Sequence, residues 1–577
     1  MFNNFIGNLK VLNKISKPSY FILGFLLLWV IINLLSAAYT GLAHDEAYYW
    51  MYSENLDWGY FDHPPAVAVM IKAGYFLFQN AFGLRLVNVL TGGISLFLLW
   101  KICSKYGEDV LLFVSLVSGI IIFQAYGFIM VPDGPLLASS IFYFWALDKY
   151  LDSDKIKYIL ILALSIALML YSKYHGFLIL LFTIIAVPKL LTKKSFCLVT
   201  LFSIILFLPH IIWQVKNSYP PLQYHLLGRG NRAYDISFTL NYFLGILLIS
   251  GPLIGFILWY AFFKVRITSK WERILKYNVL GVVIFFFFSS FHSKIEPNWN
   301  IPVVIPLLIL SYKYLKEKFI LRKWIVVLGG ITFVIGLFLR IYLANDVIFN
   351  EVSTHLKFRN EFHNWDTWAR EIAGKAQNRP VVFLNSFQNA SKYIFYTNNL
   401  AHSYNGVNYR KNQFDLWDTE AKIQGKDVLI VSGRDLPNFS PFETALGDFY
   451  ISELKNFRSY NKVEIEVLNE YLTFEADKTY PLELLLTNNF PFPVDFKENK
   501  DFSVEIVVSL VKDKKLIEEQ GFPLSLDKKR LNPGESFVQI VNYKAPPEKN
   551  SYHIFVSLKS NYLEPAINYK NKNLIVE

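Results

Sequence analysis

Residues 19–40 read SYFILGFLLLWVIINLLSAAYT, and residues 41–46 continue as GLAHDE. The first stretch carries no charge and has the length of about 20 apolar residues that a helix needs to cross a hydrocarbon layer of about 30 Å. The second sets His44, Asp45 and Glu46 directly at its end, and ionisable groups at that depth are functional candidates by default. Lys10, Lys14 and Lys17 precede the stretch and Ala37 and Ala38 close it, as in a signal peptide. Its apolar core is longer than an h-region and further spans follow, so it reads as a retained anchor.

Outward from this span, apolar runs predict further spans near 85–102, 109–124, 135–150, 156–171, 175–191, 195–214, 238–263, 274–291, 300–315 and 323–343, eleven in all. The chain is 53% hydrophobic and 17% aromatic, which excludes an ordinary soluble multidomain protein. Its net charge of +11 lies in short loops between apolar runs, so it sets topology and implies no nucleic-acid partner. With the N-terminus inside, the inner loops hold 21 Lys and Arg and the short outer loops 6, Arg85 being set aside as a boundary residue. The positive-inside rule then predicts a multi-pass protein of the plasma (inner) membrane, with everything after about Ala344 outside, in the periplasm. Two cysteines, Cys103 and Cys197, make neither a disulfide framework nor a metal site.

The expected fold class is a polytopic α-helical membrane protein with a C-terminal soluble region of α/β plus β-sandwich character. Three domains are predicted: 1–343 in the membrane, with a first outer loop at 41–84, then 344–459 and 460–577. In the second, strand candidates Pro380–Leu384 and Asp427–Val431 flank a helical stretch at Gln388–Tyr396. In the third, alternating runs at Lys462–Leu468, Tyr480–Thr487, Phe502–Leu510, Phe537–Tyr543 and Tyr552–Leu558 read as a sandwich.

Five outer loops carry the chemistry. The first begins with Asp45 and Glu46 and contains Tyr60-Phe61-Asp62-His63-Pro64-Pro65 between aromatic-rich interfacial helices at Ala47–Leu56 and Ala66–Phe82. In the second, Asp133 of Val131-Pro132-Asp133-Gly134-Pro135 suits a helix N-cap as well as a site acid. In the third, Lys173, between Tyr171-Ser172 and Tyr174-His175, either snorkels or meets an anion. The fourth sets Gln223, Tyr224, His225, Arg229 and Arg232 around Gly228 and Gly230, a loop suited to ligand contact but without a phosphate fingerprint. The fifth runs from His292 to Asn300 with Lys294, Glu296, Asn298 and an interfacial Trp299. All five fall on one face under an orientation set by charge alone. A carboxylate able to deprotonate a hydroxyl, with cations placed for a phosphate, suits group transfer from a membrane-borne phosphate donor.

On Asp45-Glu46, Tyr60-Phe61-Asp62-His63-Pro64-Pro65 and Pro132-Asp133, the chain resembles the GT-C integral-membrane glycosyltransferases. The nearest group is the family-39-like one of protein O-mannosyltransferases and lipid A aminoarabinose transferase relatives. The likeness covers about residues 19–343 and the stretch Arg410-Lys411-Asn412-Gln413-Phe414-Asp415-Leu416-Trp417. It implies inverting transfer of a sugar from a polyprenyl-phosphate donor to a lipid, glycan or protein acceptor on the outer face, in glycosylation of the cell envelope. It implies Asp45 as catalytic base, with Glu46 beside it and Asp133 as supporting acid, and Lys173 and Lys294 toward the carrier phosphate. Asp62, His63, His175, Arg229, Glu296 and Asn298 complete the expected substrate-binding set; His63 stands where some relatives carry Lys. No cofactor is certain. A divalent metal is one source of charge stabilisation, with Glu46 and Asp62 as carboxylates to hand, but their spacing matches no ligand signature, so the metal set is unknown. A multi-span transporter is the competing reading, disfavoured because the charges sit at one face and no inverted repeat is visible. A mere anchor for a binding tail needs far fewer spans.

Overall fold

The uncharged run at 19–40 forms most of helix α1, Lys17–Tyr39. A short break then leads into α2, His44–Glu54, and α3, Ala66–Leu77. In this computed structural model residues 17–224, 234–345, 348, 360–407, 409–496, 504–512, 515–524, 530–560, 563–568 and 572–577 are described. They divide into two units, Met1–His363 and Asn364–Glu577.

The first unit continues through α4 (Ala81–Cys103), α5 (Val110–Gly119), α6 (Ile121–Ala125), α7 (Asp133–Asp152), α8 (Ile156–Ser172), α9 (Gly176–Ala186) and α10 (Lys194–Lys216). After the outer loop come α11 (Ile236–Ile249), α12 (Gly255–Lys264), α13 (Lys270–Ser289), α14 (Ile301–Leu315) and α15 (Phe319–Ala344). Among the described residues four helices, Tyr20–Tyr39, Ala81–Tyr106, Lys194–Lys216 and Phe319–Ala344, are long and apolar enough to cross a membrane. The expected count of eleven is not reproduced by that criterion, because several runs form shorter or interrupted helices. The run at 109–124 breaks at Ile120, which is extended (φ −92°, ψ 108°), and the run at 238–263 breaks where Gly251 takes φ +117° just before Pro252.

Large apolar side chains such as Phe21, Leu27, Phe256 and Phe338 project outward, more than 60% exposed. An apolar surface of this extent suits lipid and not water. Between helices the packing relies on small residues. A Cβ on Gly329 of α15 would lie 2.4 Å from the Ser115 carbonyl oxygen of α5, so the two backbones touch there. At the end of the bundle away from the five loops, Arg322 donates to Asp109 at 2.5 and 2.9 Å and Lys313 to Glu272 at 2.7 Å.

In the second unit, Val381–Leu384 pairs in parallel with Ala401–Tyr404 and Val428–Ser432, and the hairpin Ser440–Thr444 and Gly447–Leu454 extends the sheet antiparallel. Helix Phe387–Thr397 crosses between the first two strands. Beyond it, Thr479–Asn488 pairs with Val463–Val467 and Ser536–Lys544 in one sheet. Val504–Lys512 pairs with Lys515–Pro523 and Ser551–Ser560 in another, and both bury alternate residues in a shared core of Leu484, Leu486, Ile506, Val508 and Val556. The two parts are stitched together. Leu563 and Ala566, from the loop after Ser551–Ser560, enter the core of the mixed sheet, and Gly406 bridges Ala566.

Candidate active site

Ala43 stands at the N-cap of helix α2, and its methyl group cannot accept a capping hydrogen bond. Glu46 supplies the back-bond instead, its Oε2 accepting the Ala43 N–H at 3.0 Å. The same carboxylate accepts from Arg85 Nε at 2.7 Å and Nη2 at 2.5 Å, and from the Met130 N–H at 2.8 Å. Arg85 spends its remaining donors on the carbonyls of Ala37, Thr40 and Gly41. Both side chains are fully buried. A pair this enclosed fastens the end of α1, the first loop and the second loop to each other. Glu46, expected among the catalytic acids and as a carboxylate for a metal, is therefore committed to structure. Arg85, set aside in the sequence as a boundary residue, is the residue that sequence reasoning missed; an arginine at the edge of an apolar run was the available signal.

Asp45, one residue earlier, points the other way and is exposed. Asp133 is the first residue of α7 and does not cap it. Its Oδ1 accepts from Lys173 Nζ at 2.6 Å and its Oδ2 from Asn298 Nδ2 at 3.1 Å, so the second, third and fifth loops meet on one buried carboxylate. Lys173 is buried with it. Asp62 accepts from the hydroxyls of Tyr48 (2.9 Å) and Tyr52 (3.4 Å). Burial first, then the negative charges of Asp45, Asp62 and Asp133, push the Tyr49 phenol well above its usual range. Tyr49 therefore feels the charge of all three acids. His63 meets the edge of the Tyr49 ring at 5.5 Å, and His175 stacks beside Phe286 and Trp299.

The first loop is pinned from α10. Trp213 Nε1 donates to Asp57 at 2.8 Å, His210 Nδ1 lies 2.6 Å from the Trp58 carbonyl, and a Cβ on Gly59 would collide with the Trp213 ring. Lys294 does not join the buried group: it is half-exposed, 3.8 Å from Glu296. Arg229 lies outside the described residues, with His225 and Arg232. Among the described residues no three His, Cys, Asp or Glu side chains come together as a metal set.

Residues 62–213 match the family model of dolichyl-phosphate-mannose-protein mannosyltransferases. The crystal structure of ArnT from Cupriavidus metallidurans in the apo state aligns with a TM-score of 0.57 at 13% identity, covering 76% of this chain and 98% of that one. The fold is that of the GT-C glycosyltransferases. ArnT bound to undecaprenyl phosphate gives the same GT-C likeness, with a TM-score of 0.56, 13% identity and coverage of 77% and 99%. No curated protein matches the chain. The GT-C assignment bears out the resemblance drawn from Asp45-Glu46, the Tyr60–Pro65 segment and Pro132-Asp133.

Proposed function

We propose that the protein transfers a sugar from a polyprenyl-phosphate donor to a hydroxyl-bearing lipid, glycan or protein acceptor, with inversion, on the outer face of a bacterial-type inner membrane. The observation that carries this reading is the meeting of the second, third and fifth loops on the buried Asp133 carboxylate, through Lys173 and Asn298, while Asp45 at the start of α2 stays exposed. The family match over 62–213 and the fold shared with a protein that binds undecaprenyl phosphate support the donor class. The multi-span arrangement and the charge bias of the loops support the orientation.

In the reaction the acceptor oxygen attacks the anomeric carbon as the carbon–oxygen bond to phosphate breaks, and polyprenyl phosphate leaves with the bonding pair. Asp45 takes the hydroxyl proton. A phosphate is a good leaving group without protonation, so it needs positive charge more than an acid. Lys294 of the fifth loop is an exposed cation suited to it. Lys173, neutralised by Asp133, instead fixes the carboxylate that orients the acceptor. Charge stabilisation by a divalent ion would not use Glu46, whose oxygens Arg85 and two backbone N–H groups already fill.

Membranes bearing the protein, incubated with radiolabelled polyprenyl-phosphate sugars, should pass label to an acceptor fraction. Asp45→Asn keeps the shape but cannot accept the proton, so transfer should fall by about 10² to 10⁴ while donor binding persists. Near wild-type transfer in that variant would remove Asp45 from the chemistry.

A further inference from the structure

Helices α1, α5 and α15 border a cavity of about 280 Å³ lined by Phe25, Leu28, Trp29, Val326, Phe333 and Arg340. Leu28 and Leu111 on its rim are about half exposed, so it opens sideways onto the apolar surface of the bundle. Arg340 is buried, one turn from the end of α15.

Its partners are all neutral. Nη1 donates to Ser36 Oγ at 2.6 Å, and Nη2 donates to Asn33 Oδ1 at 3.0 Å, the Gln124 carbonyl at 2.6 Å and Gln124 Oε1 at 3.5 Å. Each partner is held in place by a backbone carbonyl of its own: Ser36 by Ile32, Asn33 by Trp29 and Gln124 by Ser118. The ring of Phe128 faces the guanidinium at 4.9 Å. Among the described residues no carboxylate pairs with it. With Nη1 and Nη2 both donating to neutral acceptors, the positive charge beside the apolar chamber is met by no carboxylate among the described residues, a costly state for a group at membrane depth.

We infer that this cavity is a binding site for an anionic membrane lipid, its headgroup phosphate on Arg340 and an acyl chain in the apolar chamber. The charge calls for an anion, the lining for hydrocarbon, and the sideways opening for a ligand arriving from the bilayer. Guanidinium also matches phosphate oxygens in geometry. The cavity shares no lining residue with the Asp45 and Asp133 cluster, and the inference does not rest on the proposed transfer reaction.

Two variants separate this role from a purely structural tether. Arg340→Gln removes the charge. Gly330→Leu leaves every Arg340 hydrogen bond intact and places a side chain in the cavity, where a Cβ on Gly330 would meet nothing within 4 Å. Delipidated full-length protein in detergent is titrated with phosphatidylglycerol, with diacylglycerol of the same chains and with sodium phosphate, read by native mass spectrometry and thermal shift. Phosphatidylglycerol should bind the wild type and bind both variants about tenfold more weakly, with little effect of the other two probes. Equal phosphatidylglycerol binding by wild type and Gly330→Leu would overturn the inference, and this arm stands even if Arg340→Gln does not fold. Diacylglycerol binding as tightly would show that no phosphate is read, and a full shift with sodium phosphate alone would show a free-anion site; either result overturns it as well.

Discussion

Asp45 and Glu46 are chemically similar neighbours with opposite fates. Successive residues on a helix point about 100° apart, so one carboxylate can face outward while the next turns into the protein. Burial of Glu46 is tolerable only because Arg85 and two backbone N–H groups satisfy it. Arg85→Met should therefore destabilise the membrane unit by about 3–5 kcal/mol, the usual cost of leaving a buried charge without its partner. Thermal unfolding of the purified protein checks this, and a wild-type melting temperature would deny the pair its structural role. Adjacency to an apolar span made Asp45, Asp133, Lys173 and Asn298 legible as a group. That Lys173 would be consumed by Asp133 was not legible, because nothing in a sequence states the distance between two loops 40 residues apart.

At the scale of elements, α15 shows how adjacent glycines can differ. Gly329 lies against the Ser115 carbonyl of α5, whereas a Cβ on Gly330 would meet open space. Gly329→Val should force the two helices apart and cost about 1–3 kcal/mol as overpacking. Gly330→Ala should be neutral or stabilising by up to about 1 kcal/mol, since alanine is the better helix former. Comparing melting temperatures of the two variants tests this packing, and equal losses would contradict it. The breaks at Ile120 and Gly251 belong to this scale as well. Apolar content over 109–124 and 238–263 marks membrane-compatible segments, but periodicity does not reveal where a helix stops within them.

For the whole molecule, pH acts on the second unit. Burial pushes the Glu420 carboxyl up to about 7 and that of Asp415 up to about 6, and it drives the His402 imidazole down to about 3. A carboxyl raised above its unfolded value contributes stability that is complete below that unfolded value, near 4.5 for Glu420, and lost as pH rises through about 7. His402 acts in the opposite sense, losing its contribution as pH falls below about 6.5. Glu420→Gln keeps an acceptor for the Ser459 hydroxyl and the Asn461 N–H while removing the ionisation. It should stabilise the full-length protein by about 2–3 kcal/mol at pH 8 and by almost nothing at pH 4. Calorimetry at both values checks the sign, and an equal effect at the two would refute it. The proposed orientation is tested on the same scale. In a background with the exposed Cys197 replaced by Ser, a cysteine at Asn438 should react with an impermeant thiol reagent in intact cells and one at Lys270 should not. The reverse pattern would invert the topology.

Chain-local physics determined most of the plan. Uncharged runs long enough for a bilayer and period-two alternation after about Tyr460 are properties of short windows; the first such run became α1, and the alternation became strands such as Val463–Val467 and Ser536–Lys544. The meeting of loops was decided only by the tertiary structure, because it depends on which helices pack and how deeply each end is buried. That packing joined Asp133 to Lys173 and Asn298, closed Arg85 over Glu46, carried Leu563 and Ala566 back into the mixed sheet and left Arg340 beside an apolar cavity with neutral partners.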